Sequence, residues 1–275
     1  MELEPTDSRQ GRQVIREGQT LYYEVVGQGP PILLLHSFLC NLDLWEHQVE
    51  ALRADFRVIA MDIRGHGRSG HSLPHSLDDL VDDALAVLDA EEVSAAHWCG
   101  LSIGGMISIR AALKVPQRVR SLVLMNTDAG AEDRRVVWKH YGLEAIARLF
   151  GLSLVKKSVL SLMFGRTTRK QQPELLRRWE DVFMTLHIPS MMRTLHALDR
   201  RKSLASELGQ IHRPALVIHG DEDRALPIRR GRLLADELPR AEWRSMPRVG
   251  HLSCVEAPQE VNRHLLGFLR NQESR

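Results

Sequence analysis

Between Ala95 and Ile109 an apolar run ends at Gly100-Leu101-Ser102-Ile103-Gly104. A helical pattern begins at once, with Met106, Ile107, Ile109 and Ala111 as its apolar positions. A strand that becomes a helix across a single residue puts that residue in a cramped backbone conformation. Glycines two before and two after it remove the side chains that would collide there. The spacing therefore predicts that Ser102 projects from the tip of a strand–turn–helix unit, at the amino end of the helix. By itself the pattern also fits a Gly-rich turn with an ordinary serine N-cap. Partners elsewhere in the chain decide between the two.

The remaining chain alternates strands and helices. Gln13–Arg16 and Thr20–Val26, split by Glu17-Gly18-Gln19, read as a hairpin. Ile32–Leu35 is a continuous apolar run, the mark of a strand buried on both faces of a parallel sheet. A helix follows around Leu44 to Leu52, then a buried strand over Phe56–Met61 and a helix over Leu77–Leu88, with Asp78, Asp79 and Asp82 near its start. Beyond the Ser102 unit come strands at Val119–Met125, Ala215–His219 and Glu242–Met246. Helices at Ile228–Leu238 and Val261–Leu269 complete the alternation, which implies a mostly parallel sheet covered on both faces. The alternation lapses from Asp128 to Ser206. There Trp138, Leu143, Ile146, Leu149, Phe150, Leu154, Val155, Leu160, Met163 and Phe164 fall at helical spacings. That segment, residues 128–206, is expected to be a helical cap inserted over the carboxyl edge of a core made from residues 1–127 and 207–275.

The 275 residues are enough for one large α/β domain with a sizeable core. Hydrophobic residues at 43% and charged residues at 26% match a soluble globular chain. A net charge of +2 gives no case for a nucleic-acid partner. No apolar run approaches the roughly 20 residues that span a bilayer, so no membrane association is expected. Met1 to Arg12 is polar and lacks an apolar h-region, which predicts no secretory signal. Cys40, Cys99 and Cys254 are too widely spaced for a disulfide framework or a zinc site. These features point to the cytoplasm and imply no metal and no organic cofactor.

In open α/β sheets ligands bind beyond the carboxyl ends of the strands. The loop after Ala215–His219 offers Asp221, Glu222 and Asp223, and the loop after the last strand offers Val249-Gly250-His251-Leu252. Together with Gly-x-Ser-x-Gly between a strand and a helix, the chain order Ser102, Asp223, His251 resembles that of α/β-hydrolases of the serine-nucleophile branch. Asp62-x-Arg64-Gly65-His66-Gly67-Arg68-Ser69 is a further marker of the resemblance, read as a structural turn in which Arg64 and His66 brace loops. The likeness covers nearly the whole chain apart from the cap.

The resemblance implies an α/β-hydrolase fold with Ser102 as nucleophile, His251 as base and Asp223 as acid, Asp221 being the fallback. Gly-x-x-Asp-x-x-x-Pro selects Asp223. It also implies an oxyanion hole from the backbone N–H groups of Ile103 and Phe38. Relatives often carry His-Gly where this chain has His36-Ser37, which places the geometry of that loop in question. His36 reads as a hydrogen-bonded core histidine. Ser37 and Trp45 near that loop, and Met163 and Met184 from the cap, are candidate substrate contacts.

A serine nucleophile, in place of the aspartate of haloalkane dehalogenases and epoxide hydrolases, makes acyl transfer to water the default. The sequence is most similar to 3-oxoadipate enol-lactonases, small carboxylesterases and cofactor-free haloperoxidase-type esterases. The expected partner is a small-molecule ester or lactone. Residues 131–205 carry 15 Lys/Arg against 7 Asp/Glu, a surplus of 8 that would favour an anionic substrate or simply coat solvated helix faces. The same triad also fits a carbon–carbon bond hydrolase, an acyltransferase, or a slow-turnover small-molecule receptor, and these alternatives stay open at the sequence level.

Overall fold

A computed structural model describes residues 9–274, so most of the polar Met1–Arg12 stretch lies outside the described residues. The chain builds one eight-stranded sheet in the order β1-β2-β4-β3-β5-β6-β7-β8. Its strands are β1 (Gln10–Arg16), β2 (Gln19–Val26), β3 (Pro31–Leu35), β4 (Arg57–Met61), β5 (Ala96–Leu101), β6 (Val119–Met125), β7 (Ala215–Gly220) and β8 (Ala241–Met246). β2 pairs antiparallel with β1 and β4, and the other neighbours are parallel. The mostly parallel sheet expected from the alternation is therefore present.

Side chains of β3 alternate between two cores, as a period of two demands. Leu33 and Leu35 join Trp98, Leu122, Leu124 and Val217 on one face. Ile32 and Leu34 join Cys99, Leu101, Val123 and Ile218 on the other. The first face is covered by α2 (Leu77–Ala90), α3 (Ile103–Lys114) and α9 (Ile228–Glu237), the second by α1 (Glu46–Leu52) and α11 (Pro258–Glu273). α2 starts on a capping box, in which the side chains of Ser76 and Asp79 each accept the other's backbone N–H. A short helix, α10 (Ser253–Glu256), leads into α11.

Between β6 and β7 the chain forms only helices: α4 (Arg134–Phe150), α5 (Lys156–Met163), α6 (Arg166–Gln171), α7 (Pro173–Met184) and α8 (Ile188–Asp199), with short 3₁₀ turns. Trp179 and Phe183 of α7, with Leu160 and Met163 of α5, pack into the second core. Trp138, Leu149 and Phe150 of α4 stand exposed, although they share the helical periodicity. Cys40, Cys99 and Cys254 are buried free thiols. Among the described residues no helix is long and apolar enough to cross a membrane.

Candidate active site

Ser102 caps α3 with φ 56° and ψ −115°, a conformation L residues rarely adopt. Its neighbours hold it there. Its N–H donates to the Met125 carbonyl at 2.9 Å, and the Thr127 hydroxyl donates to its carbonyl at 2.7 Å. A Cβ on Gly100 would collide with the Gly104 carbonyl, and one on Gly104 with the Leu35 carbonyl. The two motif glycines are thus required by backbone packing against β3 and α3.

The loops after β7 and β8 bring Asp223 and His251 together. His251 Nδ1 lies 2.8 Å from Asp223 Oδ2, with both residues buried. Facing a carboxylate, Nδ1 carries the proton, which leaves Nε2 as the basic nitrogen. Asp223 Oδ1 accepts the Ala225 and Leu226 N–H groups at 2.9 Å each, and its Oδ2 accepts Asn126 Nδ2 at 2.9 Å. His219 Nε2 stands 3.3 Å from the same oxygen. Burial works to raise the pKa of Asp223. The charge of His251 and hydrogen bonds from His219 and His251 outweigh it and hold the carboxyl well below its usual range. Asp221 takes no part: its Oδ1 accepts the Arg248 N–H at 2.6 Å.

Ser102 and His251 open on one cavity of about 350 Å³, bounded also by Ser37, Phe38 and Met163. Most of its remaining wall is aliphatic, from α4, α5 and α8. Phe38 lies in a turn closed by the Cys40 N–H on the Ser37 carbonyl at 3.1 Å, with Leu39 at φ 65°. His36 fixes this turn from behind. Its Nε2 accepts the Ile63 N–H at 2.9 Å, so Nδ1 donates to the Ser37 carbonyl at 2.7 Å. Burial, helped by nearby His66, pushes the His36 pKa down to about 3 and keeps the ring neutral. Replacing the usual glycine with Ser37 therefore leaves an ordered turn. Ile103, the first residue of α3, has an N–H with no intrahelical acceptor. The Ser37 hydroxyl is buried beside the cavity with no hydrogen-bond partner among the described residues.

Two expected contacts are corrected. Trp45 is fully buried in the second core and lines no part of the cavity, because the 3₁₀ turn Leu42–Trp45 points it at the sheet. Met184 is 41% exposed at the end of α7, outside the cavity, while Met192 of α8 does line it. Asp62 and Arg64 brace loops: Asp62 accepts the Leu42 and Arg68 N–H groups at 2.7 and 2.8 Å, and Arg64 forms a buried ion pair with Asp83. Among the described residues no group of His, Cys, Asp or Glu side chains is arranged to hold a metal ion.

A family model described as the alpha/beta hydrolase fold matches residues 30–258. The chain is an α/β-hydrolase. The hydrolase is 34% identical to the dihydrolipoyllysine-residue acetyltransferase component of the acetoin cleaving system of Pseudomonas putida, over 90% of this chain. It spans 66% of that protein's length. It is 33% identical to RutD of Azorhizobium caulinodans, whose name assigns it to carbamate hydrolysis, over 90% of this chain and 94% of that one. Among solved structures, the enol-lactonase of Burkholderia xenovorans LB400 superposes with a TM-score of 0.88 at 29% identity, covering 94% of this chain and 100% of that one.

Two residues of the hydrolase site escaped sequence reasoning. Asn126, at φ 46° after β6, donates through Nδ2 to Asp223 and to the Gly250 carbonyl at 3.0 Å. Its only sequence signal is an amide at the end of an apolar strand. Buried Glu256 accepts the Gly250 N–H at 3.0 Å and the Leu252 N–H at 3.2 Å, on either side of His251. It also accepts the Gly165 N–H at 3.0 Å and the Thr168 hydroxyl at 2.5 Å, from the start of α6.

Proposed function

We propose that this hydrolase cleaves a carboxylic ester or lactone through an acyl-enzyme on Ser102. The observation that carries the reading is the shared cavity: Ser102 and the Asp223-paired His251 face one apolar chamber. A serine hydroxyl is a weak nucleophile, so His251 Nε2 takes its proton as Oγ attacks the carbonyl carbon, and later returns it to the leaving oxygen. Asp223 keeps the imidazole tautomer and stabilises the imidazolium without taking the proton. The N–H groups of Phe38 and Ile103 receive the oxyanion, helped by the amino end of α3. Water, activated by His251, then releases the acid.

The insertion over residues 128–206 acts as the cap that shapes the acyl pocket. Its aliphatic wall suits an apolar acyl or ring system, and the Ser37 hydroxyl, without a partner among the described residues, meets a polar substrate atom. Lys139 and Arg224 also line the chamber and pair with no carboxylate among the described residues, which favours a substrate with a carboxylate at one end. The likeness to an enol-lactonase supports the same class.

The test is steady-state hydrolysis of a panel of p-nitrophenyl esters and lactones by the wild type, Ser102→Ala and His251→Ala. The expected outcome is sustained turnover that falls at least about a thousandfold in each variant. A stoichiometric burst without turnover, or variants as active as the wild type, would overturn the assignment.

A further inference from the structure

A second cleft, of about 610 Å³, lies between the amino end of α2, α3 and the carboxyl end of α8. Its wall holds Arg110, Arg193, Arg200, Arg201 and Lys202 against one carboxylate, Asp78. Arg201 is already neutralised, by Glu132 at 3.0 Å and Asp128 at 3.5 Å. The other four cations have no carboxylate at ion-pair distance among the described residues, so four against one leaves a surplus of three positive charges.

Arg110 is the decisive member. It is only 8% exposed, and among the described residues its guanidinium reaches nothing but two carbonyls, Met106 at 3.1 Å and Lys202 at 3.4 Å. A guanidinium carries five N–H donors and stays charged when buried. Burial, with Arg201 nearby, disfavours that charge, and the fields of Asp78 and Asp128 offset it only in part. A buried charge with no carboxylate in contact is costly, and it is relieved when an anion enters. The fourteen-residue helix α2 adds the partial positive charge of its amino end to the same cleft.

We propose that this cleft is a binding site for a small, multiply charged oxyanion of the phosphomonoester kind. Arg110 forms its floor, and Arg193, Arg200 and Lys202 form its rim. Planar guanidinium groups match phosphoryl oxygens in pairs, and a surplus of three charges calls for a dianion or more. Arg201 lies in the wall of this cleft and of the cavity that holds Ser102. An anion seated here therefore abuts the site, as the charged end of a long substrate or as a separate effector.

The test is isothermal titration calorimetry of the wild-type chain with inorganic pyrophosphate and inorganic phosphate at constant ionic strength. It does not depend on the role of Ser102. The expected result is saturable one-to-one binding, tighter for pyrophosphate and weaker as chloride is raised. Arg200 and Lys202 are exposed and lie outside the Ser102 cavity. The pair Arg200→Glu and Lys202→Glu should weaken binding by at least about tenfold, with the melting temperature and p-nitrophenyl ester turnover unchanged. Arg110→Met should abolish binding, and Arg110→Lys should restore part of it. The absence of saturable binding in the wild type, or equal binding in the double variant, would overturn the proposal. Kinetics of an ester whose acyl chain ends in a phosphate, with pyrophosphate present, then assign the source: a raised KM marks the end of a substrate, a changed kcat at constant KM an effector.

Discussion

Replacing Glu256 with glutamine tests how the His251 loop is held. The carboxylate is buried, and its Oε2 accepts Gly165 N–H, Gly250 N–H and Thr168 Oγ1 while Oε1 accepts Leu252 N–H. A glutamine keeps one acceptor oxygen and turns an N–H₂ group toward at least one of those donors. Hydrogen bonds to a charged acceptor contribute about 1.5–3 kcal/mol and neutral ones about 0.5–1.5 kcal/mol, so the change should cost roughly 2–4 kcal/mol in all. At roughly 2–4 °C per kcal/mol, the melting temperature should fall by about 4–16 °C. Because Gly250 and Leu252 flank His251, kcat for ester hydrolysis should drop about tenfold with KM within about twofold. The pH dependence has a definite sign. Burial raises the pKa of Glu256, against the donors that favour its charged form, so its proton returns at a higher pH than for an ordinary glutamate. The protonated side chain resembles glutamine, so the wild-type to variant ratio of kcat should shrink toward one as pH falls. A variant with wild-type kcat and melting temperature, or a ratio that does not change with pH, would refute the reasoning.

Asn126→Ala removes a buried donor from Asp223 and from the Gly250 carbonyl. Stability should fall by about 2–4 kcal/mol, and kcat by about ten- to a hundredfold, in urea unfolding and ester kinetics. Asn126→Asp should be worse than Ala in both, because it sets a second carboxylate against Asp223. Gly104→Ala drives a methyl into the Leu35 carbonyl, and should give a protein that melts well below the wild type or fails to accumulate. Burial raises the pKa of Asp62 from 3.8 to about 6, against the Arg68 and Leu42 N–H groups. Its folded value lies above its unfolded one, so its contribution is present below about pH 4 and lost as pH rises through 6, an effect of roughly 3 kcal/mol. In urea unfolding, the stability difference between wild type and Asp62→Asn should therefore decline from pH 4 to pH 7. A difference that grows with pH would show that the two N–H donors dominate instead.

The parts of the fold that were legible in the sequence are those governed by short-range patterns. The apolar run Ile32–Leu35 announced a doubly covered strand, and Gly100 and Gly104 announced the turn that their packing against Leu35 and α3 requires. Asp223 and His251 stand out because each lies in a loop that follows a strand at the same sheet edge, and the structure brings them to 2.8 Å. Periodicity alone could not say which face of a helix in the insertion meets the sheet. Trp138 and Met163 both sit at helical spacings, yet one is 75% exposed and the other 6%. Nearness in sequence to the oxyanion loop put Trp45 at the substrate, and a flexible side chain in the cap put Met184 there; one fills a core and the other faces outward. Asn126 and Glu256 were illegible for a different reason. Asn126 reaches Asp223 from 97 positions away and Glu256 ties the His251 loop to Gly165, 91 positions away, and nothing local records such pairings.

The most direct test of the central claim is peptide mass spectrometry of the protein quenched during turnover of a p-nitrophenyl ester. The account expects the peptide containing Ser102 to carry the acyl group, His251→Ala to form the adduct far more slowly, and Ser102→Ala to form none. Sustained turnover with no acylated Ser102 at any quench time, or an adduct that still forms on another residue in Ser102→Ala with activity retained, would contradict it.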